Sequence, residues 1–193
     1  MTAIPNPKGS YPICDDAFTP EELDAIIAHG DRLNLDRGTL AVAGAGGNVV
    51  DESLRIVRST SLHIGGEIAW VYERIERIIR ALNEQVYKFE VTGFSEPFEY
   101  MVYEGEEGGH FGWHVDNGRQ LPVRKLSATL QLTEGDSYEG CDLEIFGTKQ
   151  FETAPRRRGA MMVFPSYVPH RVTLIRAGTR KALVIWSTGP QFR

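Results

Sequence analysis

RGAMMVFPSYVPHRVTLIRAGTRKALVIWSTGP (158–190) reads as three short strands cut by turns. Apolar and β-branched residues gather at Ala160–Phe164, Arg171–Ile175 and Lys181–Ser187, and prolines, glycines and the Arg176–Thr179 segment separate them. The same grammar runs upstream, where Phe98–Tyr103, Phe111–Val115, Lys125–Thr133, Asp142–Phe146 and Gln150–Thr153 read as strands. Their separators are Glu104–Gly109, Gly118–Pro122, Glu134–Gly140 and Pro155–Gly159. Short strands with turn signals at roughly 8–12-residue spacing predict a two-sheet jelly roll or barrel.

Toward the N-terminus the period changes to that of a helix. In FTPEEL (18–23), Thr19 can cap, Pro20 suits the first helical position and Glu22 completes a capping box. Phe18 and Leu23 have staple spacing around this start, and the helix should end near His29-Gly30 or a few residues beyond. A second helix is expected from about Gly66 to Asn83. There Ile68, Val71, Tyr72, Ile75, Ile78, Ile79 and Leu82 form one apolar stripe opposite a solvated charged face. Ala43–Asn48 is rich in glycine, but Val49 stands where a dinucleotide fingerprint needs its third glycine and no Lys-Ser/Thr follows. It is therefore read as a flexible turn. The expected organisation is one domain over 1–193, with a helical N-terminal part of about 1–88 and a β core of about 89–193. The fold class is α+β.

Composition closes several function classes. Twenty-one Lys and Arg against 26 Asp and Glu give a net charge of −5, which argues against a nucleic-acid binder. No apolar run approaches the roughly 18 residues of a membrane span, and MTAIPNPKGS (1–10) has no apolar signal core. Two cysteines are too few for a disulfide framework. The expectation is a cytoplasmic protein that engages neither membrane nor nucleic acid.

The five histidines hold the chemical signal. His114-Val115-Asp116 lies on a predicted strand, where residues two apart project to the same face. His170 opens another strand after Pro169. Two imidazoles and a carboxylate facing one cavity suit non-haem Fe(II) and O2 chemistry, because they leave coordination positions open. A His-x-Asp triplet alone also fits an ordinary hydrogen-bonded surface pair. Arg180, ten residues after His170, stands on an otherwise apolar strand. Facing inward it needs an anion, and its guanidinium fork suits the distal carboxylate of 2-oxoglutarate; at a strand end it is simply solvated.

The stretch Tyr103–Arg193 resembles the Fe(II)/2-oxoglutarate-dependent dioxygenases of the prolyl 4-hydroxylase-like superfamily, in particular the bacterial PKHD-type hydroxylases. The residues carrying the resemblance are YEGEEGGHFGWHVDNG (103–118), RKLSATLQL (124–132), YEGCDLEIF (138–146), RGAMMVFPSYVPHRV (158–172) and GTRKALVIWSTGP (178–190). DDAFTPEELDAII (15–27) resembles that superfamily's helical entry, whereas 31–66 lies outside the match. The resemblance implies a double-stranded β-helix (jelly roll) core with N-terminal helices packed on one sheet. It implies iron ligands at His114, Asp116 and His170, a 2-oxoglutarate carboxylate at Arg180 and a hydroxyl donated to it by Tyr103. The implied reaction is hydroxylation of a C–H bond of an amino acid, peptidyl residue or small metabolite, consuming O2 and releasing succinate and CO2. A zinc-dependent hydrolase and a non-catalytic metal- or ligand-binding jelly roll remain as alternatives, since zinc accepts the same three ligands.

Other residues carry plainer expectations. Cys141 stands where many relatives have a second glycine, which would stiffen a turn, and His110 reads as an exposed loop residue. Trp113 and Asn117 flank the ligands and are candidate substrate contacts. Of the two rows on strand 125–133, the apolar one (Leu126, Ala128, Leu130, Leu132) goes inward by default. That places Ser127, Thr129 and Gln131 on the outer surface or under the helices. Arg156-Arg157-Arg158 reads as a solvated basic turn, and His29 and His63 as structural or surface residues.

Overall fold

The computed structural model describes residues 9–38, 40–41, 48–49, 51–118 and 123–192. The first helix, α1 (Pro20–Asp31), starts as its sequence dictates. The Thr19 side chain accepts from the Glu22 backbone N–H, the Glu22 carboxylate accepts from the Thr19 N–H, and Pro20 follows the cap. A 3-10 turn at Gly66–Ile68 leads into α2 (Ala69–Leu82), and a π turn, Asn83–Tyr87, closes the helical run at Lys88 in the left-handed region. Val71, Tyr72, Ile75, Ile78, Ile79 and Leu82 form its buried stripe.

Two antiparallel sheets build the rest. The larger runs in the order Ile13–Cys14, Met161–Pro165, Arg124–Gln131, Ile175–Thr188, Phe98–Glu104, Arg58–Leu62, Asp36–Arg37, with Tyr138–Gly140 paired to the start of Ile175–Thr188. The smaller runs Phe151–Thr153, Leu143–Phe146, His170–Val172, His110–His114, Arg55–Ile56. A two-stranded pair, Leu40–Ala41 with Asn48–Val49, lies apart from both. The large sheet is buried on both faces. Tyr100, Leu126, Ala128, Leu130, Leu183 and Ile185 pack under α1 and α2, while Met101, Tyr103, Met162 and Phe164 face Leu143, Ile145 and Val172 of the small sheet. This is the expected jelly roll with helices packed on one sheet.

The structure corrects several local expectations. The part read as helical also supplies strands: Asp36–Arg37 and Arg58–Leu62 extend the large sheet, and Arg55–Ile56 extends the small one. Arg176–Thr179 is no separator, because Ile175–Thr188 is one continuous strand across it. Gly178 makes that continuity possible. Its φ is +76°, and a Cβ there would collide with the carbonyl oxygen of Ser137, the residue just before the paired strand. The break falls instead at Thr173-Leu174, after the short strand His170–Val172.

The basic turn is a clamp. Arg156 donates to the carbonyls of Gly135, Tyr138 and Gly140 and pairs with Asp142; Arg157 pairs with Asp15; Arg158 reaches Asp24 and the Leu132 carbonyl. Residues 43–47 of the glycine-rich stretch and 119–122 of the separator after Gly118 lie outside the described residues. Cys14 and Cys141 are free and buried. Among the described residues no helix is long and apolar enough to cross a membrane.

Candidate metal centre

The small sheet brings the two distant histidines together. Strands His110–His114 and His170–Val172 are neighbours, and their register sets His170 directly opposite His114. Asp116 follows the first strand in a turn fixed by the Ser166 carbonyl, which accepts from the backbone N–H groups of Asp116 and Asn117, both at 2.9 Å. The result is a cluster in which one donor atom from each of His114, Asp116 and His170 lies within 4.8 Å of the others. Asp116 Oδ1 is 3.6 Å from His114 Nε2, and Oδ2 is 3.5 Å from His170 Nε2.

The hydrogen bonds around the cluster decide which atoms point into it. His114 Nδ1 contacts the Gly112 carbonyl oxygen at 2.8 Å, and His170 Nδ1 contacts that of Val168 at 3.0 Å. A carbonyl oxygen only accepts, so each Nδ1 must carry the proton. In the neutral ring the Nε2 lone pair is then left facing the centre. Burial, and then the neighbouring His170, push the His114 pKa down to about 4, so His114 is neutral near pH 7. Burial alone would raise the Asp116 carboxyl. His170, His114 and the Ser127 hydroxyl outweigh it, and the group is held below its ordinary range as a carboxylate.

The Nε2 sides of two imidazoles and one carboxylate oxygen converge on one point. That donor set fits a divalent cation with open positions. The Ser127 hydroxyl donates to Asp116 Oδ2 at 2.6 Å and lies 2.9 Å from Ser166 Oγ. Phe111 stacks on His114 at 3.6 Å and Phe164 meets His170 edge-on at 4.8 Å, which fixes both ring planes.

One mainly apolar cavity between the sheets is lined by the triad together with Tyr103, Thr129 and Arg180. Arg180 is 1 % exposed and its register partner across the sheet is Tyr103. Its Nε and Nη2 both donate to Oε1 of Gln131. Burial pushes the Tyr103 hydroxyl up to about 12, so it stays protonated and able to donate. Cys141 is in the left-handed region at φ +56°, next to Gly140 at +76°, and its thiol meets the Arg180 guanidinium. A backbone of that kind favours glycine, so Cys141 stands where a glycine would fit without strain.

The structure thus gathers His114, Asp116, His170, Arg180 and Tyr103 around one space and leaves Trp113 and Asn117 outside it. Trp113 lies on the outer face of the small sheet, 38 % exposed, against Phe151 and under Arg171. The Asn117 amide donates to the Arg124 carbonyl. His110 belongs to a strand and is half-buried, with Nδ1 on the Gly108 carbonyl. His29 lies by Glu67, and His63 is exposed.

The row Ser127, Thr129, Gln131 is reversed from the sequence expectation. All three are buried, two contact site residues and Thr129 lines the cavity, while the apolar row packs under the helices. A signal existed: polar residues at period two on a strand covered on both faces must serve a polar site, because buried polar groups need partners.

The sequence model of the 2OG-Fe(II) oxygenase superfamily matches residues 98–188. Among curated proteins, a PKHD-type hydroxylase of Synechococcus is 32% identical over 120 residues, covering 60% of this chain and 52% of that protein. One from Acinetobacter baumannii is 40% identical over 88 residues, covering 42% and 39%. The matched segments therefore span about half or less of these relatives' length. Among solved structures, a Pseudomonas putida prolyl-4-hydroxylase superposes with a TM-score of 0.76 at 21% identity, covering 94% of each chain. A Trichoplax adhaerens prolyl hydroxylase, solved with a peptide fragment of hypoxia inducible factor, gives 0.76 at 17% identity and covers 94% and 84%. At those identities the likeness establishes the fold.

Proposed function

We propose that this chain, whose residues 98–188 match the 2OG-Fe(II) oxygenase superfamily, is such an oxygenase and hydroxylates an unactivated C–H bond of an amino acid, a peptidyl residue of prolyl or lysyl type, or a small metabolite. The observation that carries this reading is the convergence of two Nδ1-protonated imidazoles, one carboxylate and a buried guanidinium on a single cavity.

His114, Asp116 and His170 hold Fe(II), and Arg180 receives the distal carboxylate of 2-oxoglutarate. When bound, the iron couples oxidative decarboxylation of 2-oxoglutarate by O2 to insertion of one oxygen atom into the substrate, with succinate and CO2 released. The chain's own contribution is positioning and shielding. Asp116 supplies the negative charge that holds the cation, and Ser127 fixes one of its oxygens. Tyr103 is buried and protonated; its hydroxyl meets the Met101 sulfur, at 3.7 Å, and would turn to donate to the co-substrate held by Arg180. Phe164, Val172, Leu143 and Val184 line the same space and exclude water from the reacting centre. The peptide bound to the Trichoplax relative on the same fold supports a peptidyl substrate as one member of the class.

The test is anaerobic addition of Fe(II) and then 2-oxoglutarate to metal-free protein. A visible band that needs both, and that bleaches on admitting O2 with succinate formed, is the expected result. Tight zinc binding with no such band would overturn the reading. Replacing His114 or Asp116 with Ala should abolish succinate formation. Arg180→Ala should chiefly raise the KM for 2-oxoglutarate, and an unchanged KM would remove Arg180 from the co-substrate site. A screen of amino acids and peptides for a mass gain of one oxygen then identifies the substrate.

A further inference from the structure

Arg180 is buried without a counter-charge: among the described residues no carboxylate lies within ion-pair distance of it. What holds it is neutral. Gln131, on the adjacent strand two residues out of register and so on the same face, presents its side-chain oxygen to Nε at 3.1 Å and also to Nη2. The orientation of that amide is forced, because a guanidinium has only donors and the oxygen must face it. The Gln131 nitrogen is thereby turned to the Tyr138 hydroxyl, 3.1 Å away. Nε and Nη2 form one edge of the guanidinium, and Gln131 takes both. Gln131 leaves the Nη1–Nη2 end for a carboxylate, and the Cys141 thiol, which also meets the guanidinium, is kept protonated and neutral by burial.

We propose that Gln131 is the positioning residue for the co-substrate, a neutral acceptor that fills the side edge of Arg180 and leaves its full charge and its end edge for the distal carboxylate of 2-oxoglutarate. The inference rests on the assignment of that carboxylate to Arg180. A carboxylate at position 131 would hold the fork equally well but would cancel its charge. An apolar side chain there would strand a buried Nε–H and open a second edge, so that an incoming carboxylate would meet two competing geometries. Tyr138 acts one step further out by fixing the amide that fixes the arginine.

The experiment measures 2-oxoglutarate affinity of the anaerobic Fe(II)-loaded full chain by calorimetry, with metal affinity and Tm recorded in parallel. Gln131→Glu should weaken 2-oxoglutarate binding by more than about tenfold, Gln131→Met by a smaller factor, and Tyr138→Phe by less again, since charge-assisted bonds outweigh neutral ones. Metal affinity should stay within about twofold of wild type in all three. The ordering is diagnostic. A packing role predicts the reverse, because Glu matches Gln in shape and Met does not. Wild-type affinity in Gln131→Glu and Gln131→Met, or the reversed ordering, overturns the proposal while leaving the oxygenase reading intact. Failure of the wild-type protein to bind 2-oxoglutarate overturns both. Should Gln131→Glu fail to fold, the other two variants decide: unchanged affinity in both rejects the role.

Discussion

At the scale of single residues, the site is a set of acceptors and lone pairs whose directions are set by neighbours that never touch substrate. Asp116 shows this most directly. Its Oδ2 accepts from Ser127, and Ser127 is itself held against Ser166, whose backbone carbonyl binds the Asp116 turn. Ser127→Ala leaves the ligand in place and removes the group that orients it. Metal affinity should fall by roughly 10–100-fold with little change in Tm, the usual effect of losing a ligand's hydrogen-bond partner. Competition titration with a chelator measures it, and an unchanged affinity would show that the turn alone orients Asp116. The ligands were legible in the sequence as a His-x-Asp spacing and a strand-opening histidine, although Asp116 lies just past the strand and is aimed by its turn on the Ser166 carbonyl. Ser127 and Gln131 were not. Alternation reports that two faces differ, and here both faces are buried, one against helices and one against the cavity.

At the scale of elements, Ile175–Thr188 does more than any other strand, since it joins Tyr138–Gly140, Phe98–Glu104 and Arg124–Gln131 and carries Arg180. Its path depends on Gly178. Gly178→Ala adds a side chain at positive φ against the Ser137 carbonyl, so it should destabilise the fold by more than about 1 kcal/mol. It should also weaken 2-oxoglutarate binding, because Arg180 lies two residues on. Chemical denaturation and co-substrate titration of the same variant read both effects, and a stable variant with normal affinity would mean that the two strands separate there without strain. The sequence signal at Ala177-Gly178 is that of a turn, and only the partner strand converts it to a close approach. Helix α1 is the opposite case. Its Thr19, Pro20 and Glu22 act locally, so its start is readable without knowing what it packs on, and Thr19→Ala should cost about 1 kcal/mol. The two-residue strands at Asp36–Arg37 and Arg55–Ile56 carry no period of their own and exist because an edge of each sheet is available to pair with them.

At the scale of the whole molecule, the large sheet is a partition with one core under the helices and another facing the small sheet, and the metal centre joins what lies beyond that partition. His114 and His170 come from strands of the small sheet, whereas Asp116 is tied through Ser127 to the middle of the large one. A cation bound by all three therefore cross-links the two sheets, and the unfolded chain, with His170 far in sequence from His114 and Asp116, has no comparable three-ligand site. Binding must then stabilise the fold by mass action. At a free metal concentration about 100 times Kd the gain is about 2.7 kcal/mol. For a chain of 193 residues that corresponds to a Tm rise of roughly 5–10 °C. Chelation should reverse the rise, and His170→Ala should abolish it while folding normally without metal. An equal rise in His170→Ala would locate the stabilising ion elsewhere. A rise in wild type alone would show that the site joining the sheets is also the one that holds the cation.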